Sequence, residues 1–589
     1  MVATKILVCI SERNALPRRK SLLQQNPFGR SGFNLRESTK YFLSGGPVAI
    51  SFITILVMLL AISWRTPRIG DRWLRPLEQH AARFARSKSL TIVSLGLVTM
   101  LSRLALLPLL PVPVPAVHDE FSHLLAADTF THARLTNPPH PMAVFLDTFH
   151  VLQQPTYQSV YPPAQGGALA LGQLLGHPWI GVLCSMAAMV MAFAWMLAGW
   201  FPPHWALLGG VLVFLRFALF NYWIDSYWGG AMAAVGGALV LGSFPRIVHH
   251  RRTRDALLLA LGIGLLANTR PLEGFIFTVP VGVACVAWLI FKKGHSGIVG
   301  RHVLLPLLAG LVVTLGFVGY YNWRVTHNIF LLPRALYQEQ RLNFPVFLWQ
   351  SKKPPLHYSN PQFAEFYNVL TPKTYSLPWY RQFWEKCALW WSFFVGVPLS
   401  IPMLALPWLL KDRRIRLPLI QFLSCALGLL AVNYYFSHYA APLTGTFYIL
   451  LVQAMRHLRR WEFQNRPMGI FLTRFVVALT FLGAITIGVQ AYRYPRKWWA
   501  IQRAKIVNRL GATPGKHLVL VRYTPSHNPH VEWVYNAADI DGAKIVWARE
   551  IPGRDSAPVL AYFKDRKVWV VQPDTSPPTL EAYPTQARP

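Results

Sequence analysis

Two adjacent carboxylates, Asp119 and Glu120, stand between two histidines, His118 and His123, directly after a long apolar run. They are conspicuous because the chain has only 24 Asp+Glu against 58 Lys+Arg. A positioned carboxylate can accept the proton of an attacking hydroxyl group. In a helix, Asp119 and His123 are four residues apart and share a face. The spacing therefore indicates a hydrogen-bonded general base, an ion pair or half of a metal site.

Two other interpretations of this segment remain open. Asp119 could cap the N-terminus of a helix, with Glu120 favoured by the dipole of the first turn. A cap explains one carboxylate and leaves the neighbouring histidines without a role. A divalent metal such as zinc or manganese could be held by His118, Asp119, His123 or the more distant His140. No HxxxH–Glu set at a recognised spacing supports a metal, so the sequence names no certain cofactor.

Further ionisable and aromatic residues share one property, which is that each lies beside the end of an apolar run. Ionisable groups at membrane depth are costly, so they usually face a water-filled cavity and mark a functional site. Arginine also binds phosphate through its two-pronged guanidinium group. The candidates are Asp225, Arg270, Glu273, Arg324, Arg334, His438 and Tyr439.

Structural explanations compete with a functional one for several of these candidates. Arg270 and Glu273 are three apart and could form an ion pair at the helix break of Pro271. Arg324 and Arg334 could be arginines that extend from an apolar surface to the membrane boundary.

Three further candidates also have structural alternatives. His438 could be a hydrogen-bonded histidine of the core, and Asp225 could belong to an aromatic belt. Tyr161 precedes two prolines that favour a helix start, and this helix could serve packing alone.

The elements that must position these residues are membrane helices. Of the 589 residues, 53% are hydrophobic and 14% charged, and the mean hydropathy is +0.31. Apolar runs of roughly 18–25 residues can each cross a bilayer as a helix. The sequence predicts a mainly α, polytopic helix bundle. The predicted spans are 42–63, 90–112, 177–200, 204–223, 227–246, 255–268, 272–291, 303–321, 388–410, 417–433, 439–455 and 474–492.

Charge sets the orientation of the bundle. The basic segments 65–88, 245–254, 291–301, 411–416 and 455–466 fall on one side if the spans alternate from residue 90 onward. The positive-inside rule makes that side cytoplasmic. The candidate residues then lie on the outer side. The net charge of +34 is spread over these short segments, which argues against a nucleic-acid-binding surface.

The sequence divides into three regions. Residues 1–88 form a basic N-terminal region with one span, 42–63, of uncertain topology. Residues 89–492 form the transmembrane domain, with long outer loops at 113–162 and 322–387. Residues 493–589 are predicted to form a small soluble α/β domain on the outer side. Within it, 517–523, 544–550 and 567–574 have the alternation and turn signals of strands, and 560–563 begins a short helix.

Taken together, these motifs resemble the GT-C glycosyltransferases. They are the acidic pair in the first outer loop, the Tyr-Pro-Pro helix start, the TRPLEG turn (269–274), YNWRVTHN (321–328) and HYAAP (438–442). The resemblance is closest to the bacterial branch related to protein O-mannosyltransferases and the lipid A aminoarabinose transferase. It covers about residues 90–455 and implies a GT-C-like bundle of about 11–13 transmembrane helices.

The resemblance implies an enzyme that takes a sugar from a polyprenyl-phosphate donor and gives it to a lipid, glycan or protein acceptor. It would work among membrane lipids at the outer face of a bacterial inner membrane. Asp119 maps onto the family's acidic residue, with Glu120 as its neighbour in catalysis. The expected donor-binding residues are Arg270 first, then Arg324 and Arg334, with Glu273, His438 and Tyr439. The expected acceptor-binding or supporting residues are His118, His123, Asp225 and Tyr161.

Two other classes of function are weighed against this one. A transporter or lipid flippase would place charges near the bilayer midplane, in broken helices arranged as repeated halves. Here the charges lie at helix ends and no repeat is visible. A non-catalytic envelope scaffold would use the C-terminal domain and would leave the acidic pair unexplained.

Overall fold

The computed structural model describes residues 47–291, 296–372, 377–433, 435–493 and 498–584. Within these ranges the fold is mainly helical. The helices of eight or more residues are Pro47–Arg65, Asp71–Ala85, Lys88–Ala105, His118–Thr131, Pro163–Leu174, Pro178–Trp200, Pro203–Phe217, Ala231–His250, Thr253–Ala267, Pro271–Phe291, Leu305–Thr326, Pro333–Arg341, Trp379–Trp390, Arg416–Leu430, Thr444–Arg459, Met468–Arg493 and Trp498–Ala512. The shorter α-helices are Ala143–Leu146, Ser296–Val299, Pro361–Ala364, Gly396–Ser400, Leu406–Lys411 and Ala557–Tyr562.

Each of the twelve predicted spans coincides with a helix in the described part of the chain. Seven are long and apolar enough to cross a membrane: Lys88–Ala105, Pro178–Trp200, Ala231–His250, Pro271–Phe291, Gly300–Thr326, Trp379–Lys411 and Met468–Arg493. The others are shorter apolar helices of the same bundle or, at its N-terminal edge, the helix Pro47–Arg65. The predicted α-helical membrane bundle is confirmed.

Proline sets several helix starts. Pro163, Pro178 and Pro203 each occupy the first position of a helix, where a missing N–H is tolerated and φ is already helical. Between the first two of these helices the backbones touch. A Cβ on Gly172 would lie 2.2 Å from the backbone nitrogen of Gly181, so no larger residue fits there. The small residues of the Tyr-Pro-Pro helix thus allow the close approach of its neighbour.

The core of the bundle lies between the helices Pro178–Trp200, Pro203–Phe217, Ala231–His250 and Thr444–Arg459. By contrast, only 6% of the apolar window of Gly300–Thr326 is buried by protein. A helix that is apolar on its outer face and unburied by protein is suited to contact with lipid.

A small α/β domain, residues 498–584, follows the bundle and is called here the terminal domain. A two-stranded hairpin, β1 (Val151–Leu152) and β2 (Gln158–Ser159), precedes it in the chain. The sheet of the terminal domain has four strands in the order β4–β3–β5–β6: β3 (His517–Val521), β4 (Ile545–Arg549), β5 (Lys567–Gln572) and β6 (Thr579–Ala582). The first three strands are parallel and β6 is antiparallel. The three predicted strands and the short helix are confirmed, whereas β6 was not predicted.

The terminal domain packs on the helix that carries the acidic pair, His118–Thr131, called here the site helix. The backbone N–H of Ala538 donates to Asp128 Oδ2 over 2.7 Å. The ring of Tyr535 stacks on Phe121 with centroids 3.8 Å apart. Polar and aromatic contacts therefore hold the last domain of the chain against its first long loop.

Candidate active site

The site helix begins with a capping box closed by Glu120. Val117 is the N-cap residue, in an extended conformation, and Glu120 occupies the third helical position. The Glu120 carboxylate accepts from the backbone N–H groups of Ala116 (2.7 Å), Val117 (2.9 Å) and Tyr227 (3.1 Å), and the residue is 1% exposed. The helix-end role that the sequence also offered for Asp119 is thus taken by Glu120, because backbone amides surround the Glu120 carboxylate; a part for Glu120 in catalysis stays a prediction.

Asp119, by contrast, lies beside the ring of Tyr161 and is partly exposed. The Tyr161 hydroxyl donates a short hydrogen bond to Asp119 Oδ1. One turn along the site helix, His123 stacks on the same tyrosine ring with centroids 4.5 Å apart. The structure thus brings together three of the predicted residues, Asp119, Tyr161 and His123.

The ionisation states of these groups follow from burial. Burial raises the pKa of Tyr161 well above 10, and the charge of Asp119 raises it further, so the phenol is a proton donor at neutral pH. Burial likewise lowers the pKa of His123 to about 3, against the opposing effect of Asp119 and with help from the positive charge of Arg270. His123 is therefore a neutral imidazole beside the carboxylate.

Backbone contacts hold the segments of the site together. Ala164 N, just after the Tyr-Pro-Pro start, donates to Asn268 O over 2.9 Å, which joins the Tyr161 segment to the turn carrying Arg270. On the other side, Ser122 Oγ donates to His150 O over 2.6 Å and joins the site helix to the hairpin region.

Two arginines flank this group. The Arg334 guanidinium lies 5.7 Å from the centre of the Tyr161 ring, and its Nη1 is 3.4 Å from Nδ1 of His150. Arg270 lies over the Tyr439 ring at 4.4 Å, a cation–π contact. Both arginines are partly exposed, so each can offer N–H groups to a bound anion.

Beyond Arg270 the site continues into an apolar cleft. The cleft lies between three helical segments. It is lined by Glu273, Ile276, Cys425, Leu429, Tyr439, Ala440, Pro442 and Leu443. His438 is buried beside it, with Nδ1 3.1 Å from the Tyr222 hydroxyl and its ring 4.6 Å from Trp228. His438 therefore has the hydrogen-bonded, aromatic surroundings of a structural histidine.

Two candidates lie apart from the group around Asp119. Arg324 is exposed, and its Nη1 is 3.3 Å from the hydroxyl of Tyr320 on the same helix. Asp225 forms an ion pair of 2.9 Å with Arg103, which is completely buried. Arg324 therefore matches the membrane-boundary explanation, and Asp225 is a structural counter-ion.

The proposed metal ligands are not assembled in this structure. Among the described residues, no group of three His, Cys, Asp or Glu side chains could hold a metal ion. His118 stacks on Phe149 at 4.3 Å, and its Nε2 is 3.0 Å from the carbonyl oxygen of Pro529. His140 lies 3.2 Å from Asp541 of the terminal domain. Both histidines thus make structural contacts with the terminal domain.

Sequence reasoning missed two residues of the site. His150 has a left-handed backbone with φ 59° and lies against Arg334. His530, from the loop after β3, lies 6.0 Å from the ring of His118 and 5.2 Å from Phe366. A signal for His530 existed: the loops that follow parallel strands are where α/β sheets usually place ligands.

The fold and the site together describe an integral membrane protein with a cluster of charged and aromatic side chains beside its helix bundle. No protein-family model and no curated protein matches the chain. Among solved structures, ArnT from Cupriavidus metallidurans in the apo state is similar, at 12% identity over 82% of this chain and 92% of that one, with a TM-score of 0.45. The same protein bound to undecaprenyl phosphate gives 11% identity, the same coverage and a TM-score of 0.44. The oligosaccharyltransferase AglB from Archaeoglobus fulgidus, in complex with an inhibitory peptide and a dolichol-phosphate, is also similar. Its identity is 12% over 83% of this chain and 70% of that one, with a TM-score of 0.40.

Proposed function

We propose that this chain is an integral-membrane glycosyltransferase of the GT-C type that moves a sugar from a polyprenyl-phosphate donor to an acceptor hydroxyl. The observation that carries the proposal is a partly exposed carboxylate, Asp119, bonded to Tyr161, with one guanidinium group beside the Tyr161 ring and another over Tyr439, a residue of the apolar cleft. A lipid phosphate sugar has the matching parts: an apolar tail, an anionic phosphate and an electrophilic anomeric carbon. The acceptor would be a lipid, a glycan or a protein.

Asp119 is the proposed general base. Its carboxylate accepts the proton of the acceptor hydroxyl while the hydroxyl oxygen bonds to the anomeric carbon. The bond from that carbon to the phosphate oxygen breaks, and the lipid phosphate leaves with the electron pair. One displacement inverts the anomeric centre. The hydrogen bond from Tyr161 orients the carboxylate through one oxygen and leaves the other for the acceptor.

The two arginines have the complementary task. The leaving lipid phosphate gains negative charge in the transition state, and guanidinium groups placed beside it stabilise that charge. Arg270 is the first choice because it lies over Tyr439, which lines the apolar cleft, and apolar walls suit contact with an isoprene tail. Arg334, on the other side of Tyr161, would reach the phosphate or the sugar.

The site lies one helix length from the basic side of the bundle. Arg251 and Arg252 precede the helix Thr253–Ala267, and Arg270 follows it. This helix has 15 residues and so spans about 22 Å. With the basic side cytoplasmic, Asp119 and the terminal domain face outward, and in a bacterium the transfer would take place at the periplasmic face of the inner membrane.

The test is sugar transfer by the purified Asp119→Asn variant. Undecaprenyl phosphate carrying a tritiated hexose serves as donor, and a lipid and glycan extract of the envelope as acceptor. Loss of a general base should slow transfer by at least about 100-fold. The matched control is Asp565→Asn, the same chemical change at an exposed residue of the terminal domain. Transfer by Asp119→Asn at the wild-type rate would remove Asp119 as the base. Movement of intact donor across vesicles, without transfer, would favour a flippase instead.

A further inference from the structure

The helix Asp71–Ala85, called here the surface helix, has an apolar side that the rest of the protein does not cover. Trp73, Leu77 and Phe84 lie on one face of the helix. Their exposed fractions are 74%, 64% and 38%. Apolar residues of this size on one helix face require an environment other than water.

A second face of the surface helix fastens it to the bundle. Asp71, Glu78 and Ala85 are seven residues apart and therefore lie on one face of the helix, where Ala85 is buried. Glu78 accepts from Arg459 over 2.9 Å and from Arg474 over 3.0 Å. Arg474 also bonds to Asp71. Both acidic residues of the helix are thus neutralised by arginines of the bundle.

The third face is basic and exposed. Arg72, Arg75 and Arg83 lie on the side of the surface helix away from Leu77. Asp71 and Glu78 form their hydrogen bonds with Arg459 and Arg474. The positive charges of Arg72, Arg75 and Arg83 are exposed to the surroundings of the protein. A helix with an apolar face and a flanking arginine face has the pattern of a helix that lies in the membrane interface.

The position of the surface helix agrees with this pattern. It stands directly between the apolar helix Pro47–Arg65 and the candidate span Lys88–Ala105. Both of its ends therefore adjoin the end of an apolar helix in the chain, which is where the boundary of the hydrocarbon is expected. In that position Leu77 can reach the acyl chains while Arg75 remains among the headgroups.

We propose that the surface helix binds anionic phospholipid at the membrane surface, with its arginines on the lipid phosphates and Trp73 among the upper acyl carbons. Charge complementarity identifies the type of lipid. An anionic headgroup attracts three exposed arginines, whereas a zwitterionic headgroup gives them no net attraction. The inference is independent of sugar transfer, since it concerns the opposite side of the bundle from Asp119.

The test measures which lipid surrounds Trp73. The full chain is reconstituted in vesicles of phosphatidylcholine and phosphatidylglycerol in which one lipid or the other is brominated, because bromine quenches nearby tryptophan. The signal of Trp73 is the difference between wild type and Trp73→Phe. We expect phosphatidylglycerol to be at least threefold enriched over phosphatidylcholine at Trp73. In the triple variant Arg72→Gln, Arg75→Gln, Arg83→Gln this ratio should fall to about one.

A matched control removes the same charge elsewhere on the basic side. The triple variant Arg251→Gln, Arg252→Gln, Arg254→Gln should keep the wild-type ratio. Thermal unfolding checks that both triple variants are folded. Equal quenching by the two lipids in wild type, or a preference that survives loss of Arg72, Arg75 and Arg83, would overturn the proposal. Absence of quenching at Trp73 by either lipid would overturn it too, and would make this face a protein-binding surface.

Discussion

The division of labour between Asp119 and Glu120 makes a sharp prediction for the change Glu120→Gln. The Glu120 carboxylate accepts three backbone hydrogen bonds, from Ala116, Val117 and Tyr227, while 1% exposed. Glutamine keeps one acceptor oxygen and turns an NH₂ group toward at least one of these amides. A hydrogen bond to a charged group contributes about 1.5–3 kcal/mol. Losing one and weakening the others should lower the free energy of unfolding by about 3 kcal/mol.

The assay is thermal unfolding of the purified protein beside the transfer reaction. A change of 1 kcal/mol shifts Tm by about 2–4 °C in chains of 150–250 residues and by less in longer ones. Glu120→Gln should therefore melt about 2–3 °C below wild type. Asp119→Asn, the same change on the neighbouring residue, should melt near wild type and lose transfer. The correctly folded fraction of Glu120→Gln should keep most of its transfer activity.

One outcome would refute this reasoning. If Glu120→Gln melts like wild type but loses transfer as completely as Asp119→Asn, then Glu120 takes part in the chemistry. The contacts seen here would then describe a resting arrangement, and the capping box would not be the reason for the second acid of the pair.

Three further predictions follow from the remaining contacts. Arg270→Ala should raise the KM for the polyprenyl-phosphate donor at least tenfold, by loss of a charge-assisted contact, whereas Arg324→Ala should leave it unchanged; equal effects would contradict the placement of these two arginines. Burial lowers the pKa of His530 to about 4, so the folded state resists a proton that the unfolded state binds below pH 6.5. Stability should thus fall from pH 7 to pH 5, and His530→Gln should remove about 2 kcal/mol of that fall in thermal unfolding. Asp225→Asn leaves the buried charge of Arg103 unpaired and should cost about 3 kcal/mol of stability; an unchanged Tm would show that the ion pair contributes nothing.

Local pattern was sufficient to predict the apolar helices of the bundle and three of the four strands of the terminal domain. Apolar runs predict membrane helices because the backbone in hydrocarbon must satisfy its own hydrogen bonds. The start at Pro163 is likewise a property of the local chain. Tyr161 and Asp119 could be grouped because each lies next to the end of such an element.

The roles of neighbouring residues could not be predicted in the same way. Asp119 and Glu120 both suit a first helical turn, and the difference between them depends on Val117 being the N-cap and on the amide of Tyr227, 107 residues away. Arg324 and Arg334 are also alike in sequence. Arg334 lies beside Tyr161 and Arg324 does not, because tertiary packing decides which side of each helix faces the bundle.

The contact partners of the most distant part of the site could not be predicted from the sequence, although the position of His530 after a predicted strand was a general signal. His118 contacts Pro529, which is 411 residues further along the chain, and His530 follows from the same loop. No spacing rule connects residues so far apart. Only the docking of the terminal domain on the site helix brings them together.

The docking of the terminal domain has a consequence for how the protein is made. Asp128 emerges from the ribosome 410 residues before Ala538, whose amide it binds. At about 5–20 residues per second, this interval lasts roughly 20–80 s. During that time the ring of Phe121 is not yet stacked on the ring of Tyr535. The surroundings of the site helix are therefore completed only after about 410 further residues have been translated, and a chain that stops before Tyr535 would insert its helices without the contacts to Phe121 and Asp128.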